Sequence, residues 1–442
     1  MSLLLQEPPA IAGGSLPASP RLSAATAARI AGLRRLLGFA GPGWLVAIGY
    51  MDPGNWATDI AAGSAFGYRL LCVVLLSNVM AMLLQILALR LGIVAGRDLA
   101  QLCRERFSRP VGLMLWAATE TAIVATDLAE VVGTAIALQL LFGIPLFWGV
   151  CLTVLDVAVV LMLQRRGYRQ IEAAIGGLLL LTAACFAFQL VLAQPALGAM
   201  LAGLVPSPQL IGNPDMLYLS MGIVGATVMP HNLYLHSALV QNRRGGPSTR
   251  DKREAVRFAS IDSTVSLLFA FALNAGILVL AAATFHSRGL TQVAGIGQAH
   301  DMLAPLLGLP AAAAAFAVAL LAMGQSSAIT ATMAGQVVME GFLRLRLPAW
   351  SRRAITRGIA LVPALLAVGW YGDGAATSLL VCSQVVLSLQ LPFAVVPLIR
   401  FTADRRVMGD MANPRWLTLA CALIAALLVL LNLKLVGDFL LA

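Results

Sequence analysis

Asp52 lies near the middle of an apolar run, GWLVAIGYMDPGNWATDIAAG, and is followed at once by Pro53, Gly54 and Asn55. Proline removes a backbone donor and pushes the preceding residue out of helical geometry, and glycine makes an unwound turn inexpensive, so a helix through this run breaks at Asp52. A second apolar run, MGIVGATVMPHNLYLHSALV, carries Met229-Pro230-His231 at a similar position. Brought together, the two breaks would gather the Asp52 carboxylate, the Asn55 amide oxygen, carbonyls freed by unwinding near Gly49 and Ala226, and the Met229 thioether. Oxygen donors alone suit Mg²⁺ or Ca²⁺; a soft sulfur adds attraction only for ions such as Mn²⁺, Fe²⁺, Co²⁺ or Cd²⁺. Methionine is therefore the discriminating residue. A single carboxylate leaves such an ion only partly neutralised, which suits a site that must release it. The structural alternatives here are a carboxyl that stays protonated, a proline kink and a packing methionine.

A second set of residues could move protons. Glu120, Asp127 and Glu130 are spaced so that three acids fall on or near one helix face. Acids inside a membrane line a water-filled path or pair with arginine, and Arg352 and Arg353, at the start of a later apolar segment, are the candidate partners. The structural alternative is a salt bridge with no part in transfer. His231 and His236 are candidate relays because imidazole titrates near neutral pH. His231 follows the second break and is favoured for gating or proton work, whereas His236 reads equally as a relay or as a plug of the cytoplasmic path. A proton is expected to reach Asp52 or His231 from outside and to leave through Asp127 and Glu130.

The elements that must position these groups follow from composition. The 442 residues are 60% hydrophobic and 11% charged, with a mean hydropathy of +0.87. That leaves too little polar surface to wrap a soluble globule, so lipid must be the solvent. An ionised aspartate at the centre of a membrane helix costs about 2.5–3.5 kcal/mol. No lysine or arginine lies within reach of Asp52 in its own helix, so it needs a partner or a task.

At about 20 apolar residues per crossing, about eleven spans are expected, at 43–66, 70–92, 112–141, 146–163, 172–193, 216–239, 259–284, 309–340, 354–370, 376–399 and 416–440. Basic residues sort by loop. One side receives Arg29, Arg34 and Arg35, then Arg104, Arg106 and Arg109, then Arg165, Arg166 and Arg169, then clusters at 243–257 and 344–353, and finally Arg405 and Arg406. The other side receives little beyond Arg69, Arg288 and Lys434. The positive-inside rule then puts the N-terminus in the cytoplasm and the C-terminus outside, and accounts for the net charge of +10 without a nucleic-acid partner. The six cysteines show no CxxC spacing, so neither a disulfide framework nor a zinc knuckle is indicated.

Residues 1–41 read as a cytoplasmic tail, mobile and then forming a short basic helix. Five-helix blocks at 42–193 and 216–400 each begin with a broken helix, and 401–442 adds the eleventh span after a loop. An odd number of helices per block inverts the second relative to the first, the inverted-repeat plan of many secondary transporters. The fold class expected is therefore an all-α membrane protein with two inverted repeats plus one helix.

At this point the residues are recognisable. DPGN in the first span and MPH within GATVMPHNLYLHSA in the sixth resemble the two signatures of the Nramp family of proton-coupled divalent metal transporters. GQSSAITATMAGQVVMEGFL at 324–343 resembles that family's eighth-helix motif, departing from its commoner form at Ala328, Ala331 and Met333. ATDLAE in span three and SQVVLSLQLPFA in span ten extend the likeness over the chain after the tail.

The resemblance implies a leucine-transporter-like fold. It also implies that Asp52, Asn55 and Met229 ligate the metal by side chains and Ala226 by its carbonyl, with Gly49 contributing in some states and Gln384 approaching on occlusion. A branch of the family that carries Mg²⁺ or Al³⁺ lacks the methionine, which Met229 supplies here. The expectation is an importer of Mn²⁺ or Fe²⁺, with Cd²⁺ and Co²⁺ also accepted and with no permanently bound cofactor. It would act as a monomer in the inner or plasma membrane. Competing classes are an organic-cation or amino-acid carrier on the same plan, a Mg²⁺-type relative, a channel, which needs a continuous polar face on several spans, and a membrane-embedded enzyme. No HExxH or nucleophile elbow supports the last.

Overall fold

The computed structural model describes residues 42–155, 168–243, 248–293, 295–345, 347–371 and 374–441. The expected tail at 1–41, the second half of the fourth span, and Arg165 and Arg166 lie outside these residues.

The first expected span is two helices, α1 (Pro42–Gly49) and α2 (Pro53–Phe66), separated by Tyr50, Met51 and Asp52. Pro53 occupies the first helical position of α2, where a missing N–H costs nothing, and the Asp52 side chain caps α2 by accepting from the Asn55 N–H. There follow α3 (Leu71–Ala95), the short α4 (Leu99–Arg106), α5 (Arg109–Phe142), α6 (Leu146–Leu152) and α7 (Tyr168–Ala193). After the short α8 (Leu197–Gly203) and α9 (Gln209–Gly212), the sixth expected span is again two helices. These are α10 (Pro214–Val228) and α11 (Pro230–Leu239), with only Met229 between them. The remainder is α12 (Thr249–Thr284), α13 (Ile296–Leu307), α14 (Pro310–Leu343), α15 (Ala349–Tyr371), α16 (Gly374–Ala403), α17 (Arg405–Met408) and α18 (Arg415–Leu441). Among the described residues no strand occurs.

Eight segments of the described chain are long and apolar enough to cross a membrane. The sixth expected span is missing from that set because it is broken into halves and the fourth because part of it is not described, while the second half of the first joins the second span in one segment, Pro53–Ala95. Two features depart from the expectation. Helix α12 starts at Thr249 rather than near 259, because Ser248 and Asp251 form a reciprocal capping box that starts the helix on charged residues a hydropathy window ignores. Helices α4, α8, α9, α13 and α17 lie in segments read as loops. The longest of them, α13, buries only Ile296, Ala299 and Leu303 along one side.

Helix α2 is central: every residue from Pro53 to Ser64 is buried, and Trp56 sits between Phe186 and Phe316 with ring centroids 4.9 Å away in each case. Around it, α5 packs against α14, α15 and α16, while α12 lies along α1, α2 and α3. Helix α18 is peripheral. It turns Leu417, Cys421, Ala425, Leu428 and Asn432 inward and leaves Leu419, Leu423, Leu427 and Leu430 exposed, a stripe suited to lipid. Asn432 Nδ2 donates to the Ser388 carbonyl at 3.0 Å and fastens α18 to α16.

Candidate metal centre

The two prolines do more than break helices. An α-helical N–H bonds the carbonyl four residues back. Pro53 therefore offers nothing to Gly49, and Pro230 nothing to Ala226. Both carbonyls named from the sequence are left short of their helical donor beside a break. Met229 itself takes φ 25° and ψ 99°. That is a left-handed conformation costing a non-glycine residue on the order of 1–3 kcal/mol, the kind of strain that concentrates at functional sites.

Asp52 is fully buried and each carboxylate oxygen is engaged. Oδ1 accepts from the Asn55 N–H at 2.8 Å and Oδ2 from Gln384 Nε2 at 3.1 Å. Gln384 stands between the two broken helices. A Cβ on Gly54 of α2 would collide with its side chain, and one on Gly225 of α10 would collide with its carbonyl. On the other flank, Asn232 lies against Gly49 and donates from Nδ2 to the Met229 sulfur at 3.6 Å. The amides of Asn55 and Asn274 both donate to the Tyr50 carbonyl, at 2.6 and 3.0 Å, spanning the first break.

What remains unpaired is informative. The amide oxygens of Asn55, Gln384, Asn232 and Asn274 are buried with no hydrogen-bond partner. A buried polar atom left without a partner costs about 1–3 kcal/mol, and here several of them belong to side chains that hold or adjoin Asp52 and Met229. Unpartnered oxygens on the side chains that line the two breaks, with a carboxylate at one break and a thioether at the other, form a donor set for a cation with soft character. Among the described residues no group of three or more His, Cys, Asp or Glu side chains could hold a metal. The candidate site is instead one carboxylate supported by neutral donors.

The acids of α5 meet arginines of α15. Arg352 pairs with Glu120 at 3.0 Å, Arg353 with Asp127 at 3.9 Å and Glu130 at 3.6 Å, and Arg357 with Glu130 at 3.4 Å. Arg353 also donates to the Ala328 carbonyl at 2.7 Å and to the Thr332 hydroxyl. The contact at Ala328 is to backbone, so the departure of that position from the family's commoner motif leaves it intact. Glu130 Oε1 and Glu120 Oε2 keep buried oxygens without a partner. Gly133, three residues beyond Glu130, lies against Pro53 so closely that a Cβ would collide with the proline ring, which sets this network beside the break.

The two histidines separate. His231 is buried with Nδ1 unpartnered. His236 Nδ1 lies 2.7 Å from Gln85 Oε1, and since an amide oxygen only accepts, Nδ1 carries the proton. Gln85 Nε2 in turn donates to the Tyr50 hydroxyl. His236 thus closes a polar chain below the first break and does not touch Asp52. Arg357, Asn274, Asn232, Gln85 and Tyr50 were not singled out from the sequence. The available signal was a polar side chain within an apolar span, and for Arg357 its place one turn beyond Arg353.

The family model described as "Natural resistance-associated macrophage protein-like" matches residues 43–438. The chain belongs to the Nramp family. A relative from Agrobacterium fabrum, named divalent metal cation transporter MntH, is 56% identical over 406 residues, covering 92% of this chain and 88% of that one. The structure of the Eremococcus coleocola manganese transporter superposes with a TM-score of 0.84 at 43% identity, over 91% of this chain and 86% of that one. MhsT in complex with L-phenylalanine, at 17% identity and TM-score 0.61 over 89% of this chain and 98% of that one, shares the fold alone. This Nramp chain is therefore an all-α, multi-pass membrane protein with the leucine-transporter-like architecture that the family resemblance implied.

Proposed function

We propose that this Nramp-family protein imports Mn²⁺ or Fe²⁺, and also accepts Cd²⁺ and Co²⁺, together with protons, by alternating access. The observation that carries the reading is that Asn55 and Gln384, the two residues bonded to the fully buried Asp52, each keep an unpartnered amide oxygen, with the Met229 sulfur on the strained residue of the second break. Asp52, Asn55 and Met229 would bind the ion by side chains and Ala226 by its carbonyl, with Gly49 joining in some states. Gln384, already bonded to Asp52, would complete the occluded site. The relatives named as divalent metal and manganese transporters support the substrate class.

The rival on the same fold is an amino-acid carrier. It needs a helix N-terminus open to a substrate carboxylate, as a positive dipole end would favour. Here that end of α2 is already capped by Asp52's own carboxylate. A proton would reach Asp52 or His231 from outside and pass to Asp127 and Glu130, with Glu120, Arg352 and Arg353 tuning the path and His236 closing it below. A divalent ion gains about 4.6 kcal/mol on entering a compartment 100 mV negative, so import runs with the potential. The protein would work as a monomer in the inner or plasma membrane, with its N-terminus cytoplasmic and C-terminus outside. The chain would divide into a tail at 1–41, five-helix repeats at 42–193 and 216–400, and the eleventh span with its preceding loop at 401–442.

The test is Mn²⁺ uptake into proteoliposomes with internal pH followed at the same time. The native chain is expected to take up Mn²⁺ and acidify the lumen, and Asp52→Asn to abolish uptake. Normal uptake by Asp52→Asn would remove the assigned site.

A further inference from the structure

One neighbouring helix holds the first half of the broken helix at both ends. At the amino end of α1 the Gly43 N–H donates to Asp262 Oδ2 at 2.8 Å, a buried contact between residues 219 positions apart. At the other end Asn274 Nδ2 donates to the Tyr50 carbonyl at 3.0 Å. Both side chains come from α12, which lies along α1. The first turn of a helix has N–H groups without intrahelical partners and a positive dipole end, and a carboxylate there makes a charge-assisted bond. The approach is tight: a Cβ at position 43 would stand 2.7 Å from Asp262 Oδ2 and 2.8 Å from the Ser263 nitrogen, so glycine is what lets α12 come this close.

Helix α1 spans only the eight residues Pro42–Gly49, and the break beyond it leaves few backbone bonds to carry it with α2. Its hold on the protein therefore depends on lateral contacts, among which Asp262 supplies a charged one. We propose that Asp262 is a latch, a positioning residue that keeps α1 closed against α12 and must release the Gly43 N–H for the site to open to the cytoplasm. The direction of that opening rests on the transport reading above. The latch itself is a contact between two helices.

The experiment uses the full chain with its six cysteines replaced by alanine. One reporter cysteine is placed at Ala47, buried on α1, and in a separate protein another at Ala376, which lines a cavity of about 640 Å³ with His300 and Asp301 on the side assigned to the exterior. Labelling by a membrane-impermeant maleimide is measured in metal-free buffer, from each face of the membrane. Asp262→Ala is expected to raise cytoplasmic labelling at position 47 about tenfold, the scale of one charge-assisted hydrogen bond, and to lower external labelling at position 376. A general loosening would raise both. Asp262→Asn, which still offers an oxygen to Gly43 without the charge, is expected to fall between Asp262→Ala and the parent, and it decides the matter alone should Asp262→Ala fail to fold. Parental labelling in a folded variant, or a rise at both positions, overturns the latch. Because labelling needs no metal, that result is separate from Mn²⁺ uptake, which tests the function.

Discussion

At the scale of single residues, the donor set balances one formal charge against several neutral groups. In the proposed site Asp52 would draw any cation, and the sulfur of Met229 would decide among them, because hard ions gain nothing from it. Met229 is buried and its strained backbone places the thioether at the break rather than along a helix face. Replacing it by alanine removes the sulfur and leaves the carboxylate. Met229→Ala is expected to weaken Cd²⁺ transport on the order of tenfold, about 1.4 kcal/mol of lost interaction, to affect Mn²⁺ less, and to let Ca²⁺ or Mg²⁺ compete. Competition assays in proteoliposomes check this, and an unaltered selectivity series would make the sulfur mere packing.

At the scale of elements, α5 and α15 form a buried charge network in which Glu130 is shared by Arg353 and Arg357 and Arg353 by Asp127 and Glu130, while Glu120 pairs with Arg352. Removing one charge from such a network leaves others to satisfy the arginines, so Asp127→Asn should fold. It is expected to carry Mn²⁺ with clearly reduced accompanying acidification, read from the same vesicles; full acidification would take Asp127 off the proton path.

The loop between α3 and α5 offers a prediction about stability. Asp98 caps α4 by accepting from the Gln101 N–H at 2.8 Å, and burial pushes its carboxyl up to about 6 against the opposing cap bond and the Arg104 charge. A raised native value means that the folded protein holds this proton more tightly than the unfolded chain. The stabilisation is therefore complete at low pH and lost as pH rises through 6. Asparagine keeps the capping oxygen without the charge. Asp98→Asn is expected to be more stable than the parent by about 1–3 kcal/mol at pH 7.5, with the difference gone near pH 4, in thermal melts of the detergent-solubilised protein.

At the scale of the whole molecule, with the two breaks in matched positions of the two proposed blocks, rocking one group of helices against the other would change the access to the proposed site from each side. Lipid-facing α18 and the buried α2 mark the outside and centre of that assembly.

Much of this plan is legible in the amino-acid sequence. Hydropathy, proline and the sorting of arginines act locally along the chain, and each constrains its own segment whatever the rest does. They identified the broken helices and the membrane setting, and they pointed to Asp52, Asn55 and Met229 as the candidate donors. They did not reveal that Gln384 holds Asp52, that Asn232 holds the sulfur, that Arg357 joins Arg353 on Glu130, or that Asp262 caps α1. Those pairings depend on how each helix is rotated about its axis and how closely glycine lets it approach its neighbour, and in a uniformly apolar span neither leaves a periodic mark. Composition and local stereochemistry thus determined the membrane setting, the two breaks and which candidate donors stand at them. Only the packing of distant helices decided which side chains hold those donors in place.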